Sequence, residues 1–215
     1  MLGKDVDFRQ VYHKLCFISK DKGYYTTTEQ FDRPPKANGT LTYAYIDHEA
    51  GLTYEILACA RRRADGSITA YDPNDKVMVK YRAGAVDECQ IEVIDDPELK
   101  EKYAWKINAV NKCYKADKGV LRTRRDAALD EYRHKHYPDD VQVVLLYKDN
   151  IPEEVWVRCE ESPEDSPFYI GRLLNQPFHS FPVNKGDLIP FFIVERDEIR
   201  KCFCLLSEPD GNQPK

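Results

Sequence analysis

The spacing of apolar positions divides the chain into an early helix-like stretch, a run of strands, two helices and a second run of strands. In Asp5–Ser19, Phe8, Val11, Tyr12 and Leu15 fall at i, i+3, i+4 and i+7, which predicts one helical face capped by Asp5 or Asp7. Residues 20–39 are polar and end in Pro34-Pro35 and Asn38-Gly39, the composition of a loop. From Thr40 the period changes to two, with Leu41, Tyr43 and Tyr45 on one face and Thr42 and Ala44 on the other. Thr53–Arg62, Ser67–Tyr71, Val77–Arg82 and Glu88–Ile94 follow as strand-like segments, with Asp65-Gly66 a hairpin turn between the first two. These segments predict an antiparallel meander of about five strands.

Asp95-Asp96-Pro97-Glu98 then signals a helix start: an Asp cap, Pro in the first turn and acids at the positive end of the dipole. Leu99, Tyr103, Ile107 and Val110 would form its apolar stripe. Gly119–His136 is a second helical candidate, with Leu121, Ala128 and Tyr132 facing in, Glu131 and Lys135 paired across one turn, and Pro138 ending it. Val141–Tyr147 is nearly continuous in apolar residues and reads as a central strand. Beyond it, Glu154–Leu206 reads as short strands broken by turns. The change of period and charge near Asp149–Pro152 places the expected boundary between residues 1–150 and residues 151–215.

Charge sharpens that division. The 215-residue chain has a net charge of -5, but residues 1–148 hold 24 acids and 25 bases while residues 149–215 hold 13 acids and 7 bases. Seven acids lie in Asp149–Ser166 against Arg158 alone, a poor surface for phosphate and a candidate patch for a basic protein partner, with a solvated strand face and loop as the plain alternative. Glu160, Glu161, Glu164 and Asp165 are the residues expected to meet that partner. The longest apolar stretch, Leu188–Val194, is far short of the roughly 20 residues of a membrane span. Asp5, Arg9 and Lys14 interrupt the N-terminal twenty residues, so no secretory apolar region is expected there. Seven cysteines without framework spacing read as reduced thiols, which fits a cytoplasmic protein.

Chemistry is sparse. There is no Gly-rich phosphate loop, GxSxG, HExxH or paired CxxC, so a catalytic role is not the expected one and no cofactor or metal is assigned. Cys202 and Cys204 would share a strand face, but without two further ligands they read as small buried hydrophobes rather than half a zinc site. His134-Lys135-His136, on a helix, would point its imidazoles about 200° apart and so could not chelate one ion. Asp47-His48-Glu49 reads as a polar turn, with a general base at His48 the alternative. Arg61-Arg62-Arg63 and the bases Lys118, Arg122, Arg124, Arg125, Arg133 and Lys135 raise nucleic-acid binding as a lesser reading, against a helix with internal ion pairs.

Three motifs stand in order near the C-terminus: Glu154-Val155-Trp156-Val157, Gly171-Arg172-Leu173-Leu174-Asn175-Gln176-Pro177, and Val183-Asn184-Lys185-Gly186-Asp187-Leu188-Ile189 with Phe191. Together they resemble the YegJ-like group of small bacterial β-barrel domains of unknown function, which includes relatives in immunity-type proteins. The resemblance covers about 50 residues and implies a barrel and an immunity-like, non-catalytic binding role in a bacterium. Each motif also has a scaffold meaning. Trp156 is expected to cap the barrel core, Gly171 to permit a close backbone approach, Asn175 and Pro177 to form a turn, and Gly186-Asp187 to turn tightly into an apolar strand. Pro190 within that strand points to an edge or a bulge. The expected fold is therefore α+β: an antiparallel meander with helices, then a small SH3-like β-barrel.

Overall fold

The computed structural model describes residues 1–20, 36–71, 79–164, 166–196 and 199–207. The chain forms two compact units, Met1–Lys115 and Ala116–Lys215. The junction expected at 150/151 falls inside the second unit, because the strand before it belongs to the barrel. The division also relocates the charge. The first unit holds 18 acids and 18 bases, whereas the second holds 19 acids and 14 bases and so carries the whole net charge of -5.

In the first unit the expected N-terminal helix is only one turn, α1 (Phe8–Val11), with Asp7 Oδ1 accepting the Arg9 backbone N–H at 2.9 Å. His13 takes a left-handed backbone, φ 59°, and stops the helix. Phe17 and Ile18 are strand formers, and the chain continues as β1 (Leu15–Ser19). The strands β2 (Gly39–Asp47), β3 (Gly51–Arg62), β4 (Ile68–Tyr71), β5 (Lys80–Arg82) and β6 (Gln90–Ile94) match the expected segments. Residues 21–35 of the expected loop, and 77–78 of the expected strand before β5, lie outside the described residues. The order is β4-β3-β2-β1-β6 with β5 also on β3, all antiparallel. Thus β1, expected as helix, lies between β2 and β6.

Both faces of this sheet are covered, which is why β2 and β3 are buried on both faces instead of alternating. One face packs Cys16, Ile18, Ile46, Tyr54 and Ile56 with Phe8 and Val11. On the other, Leu15, Phe17, Tyr43, Tyr45 and Leu57 meet the helices α2 (Pro97–Lys102) and α3 (Ala104–Cys113). Asp96 caps α2 by accepting the Leu99 N–H at 3.0 Å, and Leu99, Tyr103, Ile107 and Val110 all point into the core as their spacing requires. A pair of ionisable groups is buried with them. Glu55, 1% exposed, faces Lys106 at 3.5 Å, and Lys106 also donates to the Ile56 carbonyl at 2.7 Å.

The second unit begins with α4 (Lys118–Arg125), shorter than the helix expected to His136. A 3-10 turn, Ala127–Tyr132, follows, and then the strands β7 (Arg133–His134), β8 (Tyr137–Leu146), β9 (Glu153–Glu161), β10 (Tyr169–Leu173), β11 (Leu188–Arg196) and β12 (Ile199–Leu205). β8 to β12 run up and down in order. Five strands so joined begin and end in the same direction, so closure needs a parallel pair. Phe203–Leu205 supplies it against Val144–Leu146, closing the expected small barrel. Val141, Val143, Leu145, Val155, Val157, Cys159, Phe191, Cys202 and Cys204 fill its interior. Gly171 lies where β10 meets β9: a Cβ there would sit 2.3 Å from Val157 Cγ1 and 2.7 Å from the Arg158 carbonyl oxygen. Pro190 needs no bulge of its own. Leu188–Phe191 pairs only with β10 and Phe192–Arg196 only with β12, so Pro190 has one strand neighbour. Among the described residues no helix is long and apolar enough to cross a membrane.

Candidate functional site

Strict alternation along β9 decides where its side chains go. Val155 and Val157 are 1% and 0% exposed and point into the barrel, so Trp156 between them stands on the outer face. This corrects the expectation that Trp156 caps the core. The segment just after β10 supports it there. The Trp156 backbone N–H donates to Asn175 Oδ1 at 2.8 Å, and its carbonyl accepts the Leu174 N–H at 2.9 Å. The Asn175-Gln176-Pro177 turn thus braces the tryptophan strand, while Gln176 Oε1 accepts the Lys185 N–H at 3.1 Å. Gly186 completes the adjoining turn with φ 98°, and Asp187 Oδ2 accepts the Asn184 N–H at 2.7 Å.

On the other side of Trp156 lies a hairpin where a helix was expected. Arg133 pairs with Val141 and His134 with Tyr137, leaving Lys135 and His136 as a two-residue loop. Pro138 consequently sits inside β8 instead of ending a helix. Arg133 anchors the hairpin by donating to Asp130 at 2.9 Å and to the carbonyls of Pro138 and Thr123. The hairpin brings His134 to Trp156 at 5.2 Å between ring centroids and to Tyr137 at 5.0 Å, with interplanar angles of 70° and 72°. His134, Tyr137, Trp156, Leu174, Asn175 and Asp140 line a cleft of about 300 Å³.

Electrostatics keep this cleft uncharged at its aromatic walls. His134 Nδ1 accepts the His136 backbone N–H at 3.2 Å, so the neutral ring carries its proton on Nε2. Burial lowers the His134 pKa below the ordinary histidine value, and His136 adds to that, against a smaller opposing pull from Asp140. Asp140, 7% exposed, is held by Arg158 at 2.8 and 3.2 Å. The neighbouring Asp139 makes a second buried pair, accepting two hydrogen bonds from Arg124 at 2.8 and 2.7 Å.

The expected acidic contact residues are partly engaged within the same unit. Glu160 accepts from Arg172 at 3.0 Å, Glu164 faces Arg122 at 3.4 Å, and Glu161 is exposed. Asp165 lies outside the described residues. The basic helix is engaged as well: Arg124 and Arg133 are turned inward and Arg122 donates to the Ser162 carbonyl, which removes three of the cations a nucleic-acid surface would use. Arg62 of the triple arginine pairs with Glu92.

The alternatives for catalysis fare no better. Asp47 Oδ1 accepts the Glu49 and Ala50 N–H groups at 3.2 and 3.3 Å, so Asp47-His48-Glu49 is the polar turn between β2 and β3. Six of the seven thiols are buried, Cys113 being the exception. Burial pushes Cys16, Cys202 and Cys204 up to about 12, and Cys159 higher still, far from nucleophilic. No group of three or more metal-ligating side chains occurs among the described residues. Two further clefts lie in the first unit. That of 490 Å³ is lined by His13, Tyr43, Asp95 and Asp96, the last already used as a cap; that of 560 Å³ is lined by Phe17, Arg62 and Glu92, the last two already paired.

No protein-family profile, curated protein or solved structure matches the chain. These comparisons lend the expected likeness to the YegJ-like group no support.

Proposed function

We propose that the protein is a non-catalytic binding module whose barrel docks a basic segment of a partner protein on its outer face. The observation that carries this reading is the cleft around Trp156: a large aromatic side chain on the outer face, its strand fixed by a dedicated backbone hydrogen bond to Asn175, beside two further rings, on a unit of net charge -5. Buried thiols of raised pKa and internally paired arginines weigh against the catalytic and nucleic-acid alternatives. Glu160, Glu161 and Glu164 add negative charge on the same unit, suited to steering more than to anchoring. No disulfide joins the seven cysteines, in keeping with a reducing, cytoplasmic setting. The motif resemblance extends the reading to an immunity-type protein of a bacterium, one that occupies a basic toxin.

Capture from the source cell at low ionic strength tests the reading, comparing the wild type with Trp156→Ala and with Glu160→Lys, Glu161→Lys and Glu164→Lys combined. A basic protein retained by the wild type and lost by both variants supports it. A captured set that neither variant changes contradicts it.

A further inference from the structure

The chemistry of the cleft narrows what can sit in it. Its walls are the rings of His134, Tyr137 and Trp156, with His134 set at 72° and 70° to the other two. Steeply inclined aromatic walls present several π faces to one small volume, an arrangement that attracts a cation and gives a neutral group no comparable gain. The volume of about 300 Å³ suits a side-chain head group and not a folded surface. At its base Asp140 contributes negative charge, but both carboxylate oxygens already accept hydrogen bonds from Arg158. An incoming cation therefore meets ring faces and a carboxylate whose charge Arg158 already balances.

That distinction separates the two basic side chains. A lysine ammonium is strongly hydrated and needs three acceptors to replace its water, whereas a guanidinium is planar, weakly hydrated and stacks on aromatic faces. His134 accepts its hydrogen bond at Nδ1 and so offers a neutral ring, not a competing charge. The excess of acids over bases in this unit, 19 against 14, favours a cationic visitor at longer range.

We infer that the His134–Tyr137–Trp156 cleft is a receptor for an arginine side chain of the partner. This rests on the reading of the barrel as a module for a basic protein, and it places one arginine as the central anchor.

The test uses the full-length protein and two probes of equal shape: N-acetyl-arginine amide and its neutral counterpart N-acetyl-citrulline amide, with N-acetyl-lysine amide as third. The readout is the NMR indole N–H signal of Trp156, assigned with Trp156→Phe, with Trp105 of the first unit as the internal reference. The expected result is a saturable shift of Trp156 and not of Trp105, with citrulline binding about three- to thirtyfold more weakly than arginine, and lysine also more weakly. Equal binding of arginine and citrulline, or no Trp156 shift with arginine, overturns the proposal. Lysine equal to arginine overturns the guanidinium assignment. All three comparisons use wild-type protein, so none depends on a variant that fails to fold. If arginine leaves Trp156 unmoved while the three-lysine variant still loses its captured protein, the receptor fails and the binding module stands. If arginine binds but no basic protein is captured, the reverse holds.

Discussion

Asn175 holds Trp156 by the backbone: its side-chain Oδ1 accepts the Trp156 N–H at 2.8 Å, so a turn nineteen residues downstream fixes the strand that carries the cleft's largest ring. Replacing Asn175 with Ala leaves that N–H without its acceptor, at an expected cost of about 1–3 kcal/mol. Asn175→Asp keeps an acceptor oxygen and is expected to retain most of the stability. Urea unfolding of the two variants, followed by tryptophan fluorescence, separates a lost hydrogen bond from a merely altered turn.

Arg124 and Asp139 form a deeply buried pair, 3% and 2% exposed at their side chains. Removing one partner strands the other charge, so Arg124→Met or Asp139→Asn should each lower stability by about 3–5 kcal/mol. Replacing both with apolar residues should cost much less than the sum of the single changes. A double-mutant cycle in urea measures this directly.

Gly171 tests the barrel's tightest approach. A methyl at this position overlaps Val157 and the Arg158 carbonyl, and Gly171→Ala should destabilise by about 1–3 kcal/mol or more. Val157→Ala in the same chain should recover part of the loss by making room, which thermal unfolding of the single and double variants checks.

The expected helix at Gly119–His136 shows why parts of the site were hidden in the sequence. The hairpin loop Lys135-His136 has no Gly, Asn or Asp to announce it, and Leu121, Ala128 and Tyr132 have helical spacing. What decides the structure is tertiary: Arg133 ties the chain back to Thr123 and Pro138, and β8 needs a partner for Val141. The outward position of Trp156, by contrast, was readable from its place between two valines once those valines are assigned to the core. The helix cap at Asp96 and the stripe from Leu99 to Val110 were legible for the same reason, since periodicity and capping are local, whereas the barrel closes through a parallel pair of strands distant in the chain. Ion pairs that join distant segments, such as Arg124–Asp139 and Arg158–Asp140, leave no such local trace.

His134 should respond to pH in a defined direction. Its folded pKa lies below the ordinary value of about 6.5, through burial first and His136 second, with Asp140 opposing. Between those two pKa values the unfolded chain binds more protons than the folded one, so stability falls as the pH drops through about 6.5 and levels off below the folded pKa. A carbon-bound proton NMR titration should place the His134 midpoint below that of an exposed histidine. His134→Phe should remove that part of the stability profile.

The thiols give an independent check on the reading of the chain as non-catalytic. With Cys113 exposed and the other six buried, native protein should react rapidly with one equivalent of a disulfide reagent and with seven after denaturation. A second fast thiol in the native state would reopen the question of a cysteine nucleophile.

The central claim is that the outer face of the barrel, at Trp156, is where a basic protein is bound. Its most direct test is hydrogen exchange on the complex with the captured partner, read peptide by peptide. The account predicts added protection over Arg133–Asp140, Val155–Val157 and Leu174–Asn175, weakening as salt is raised. Protection confined to the first unit, with these segments unchanged, would contradict it.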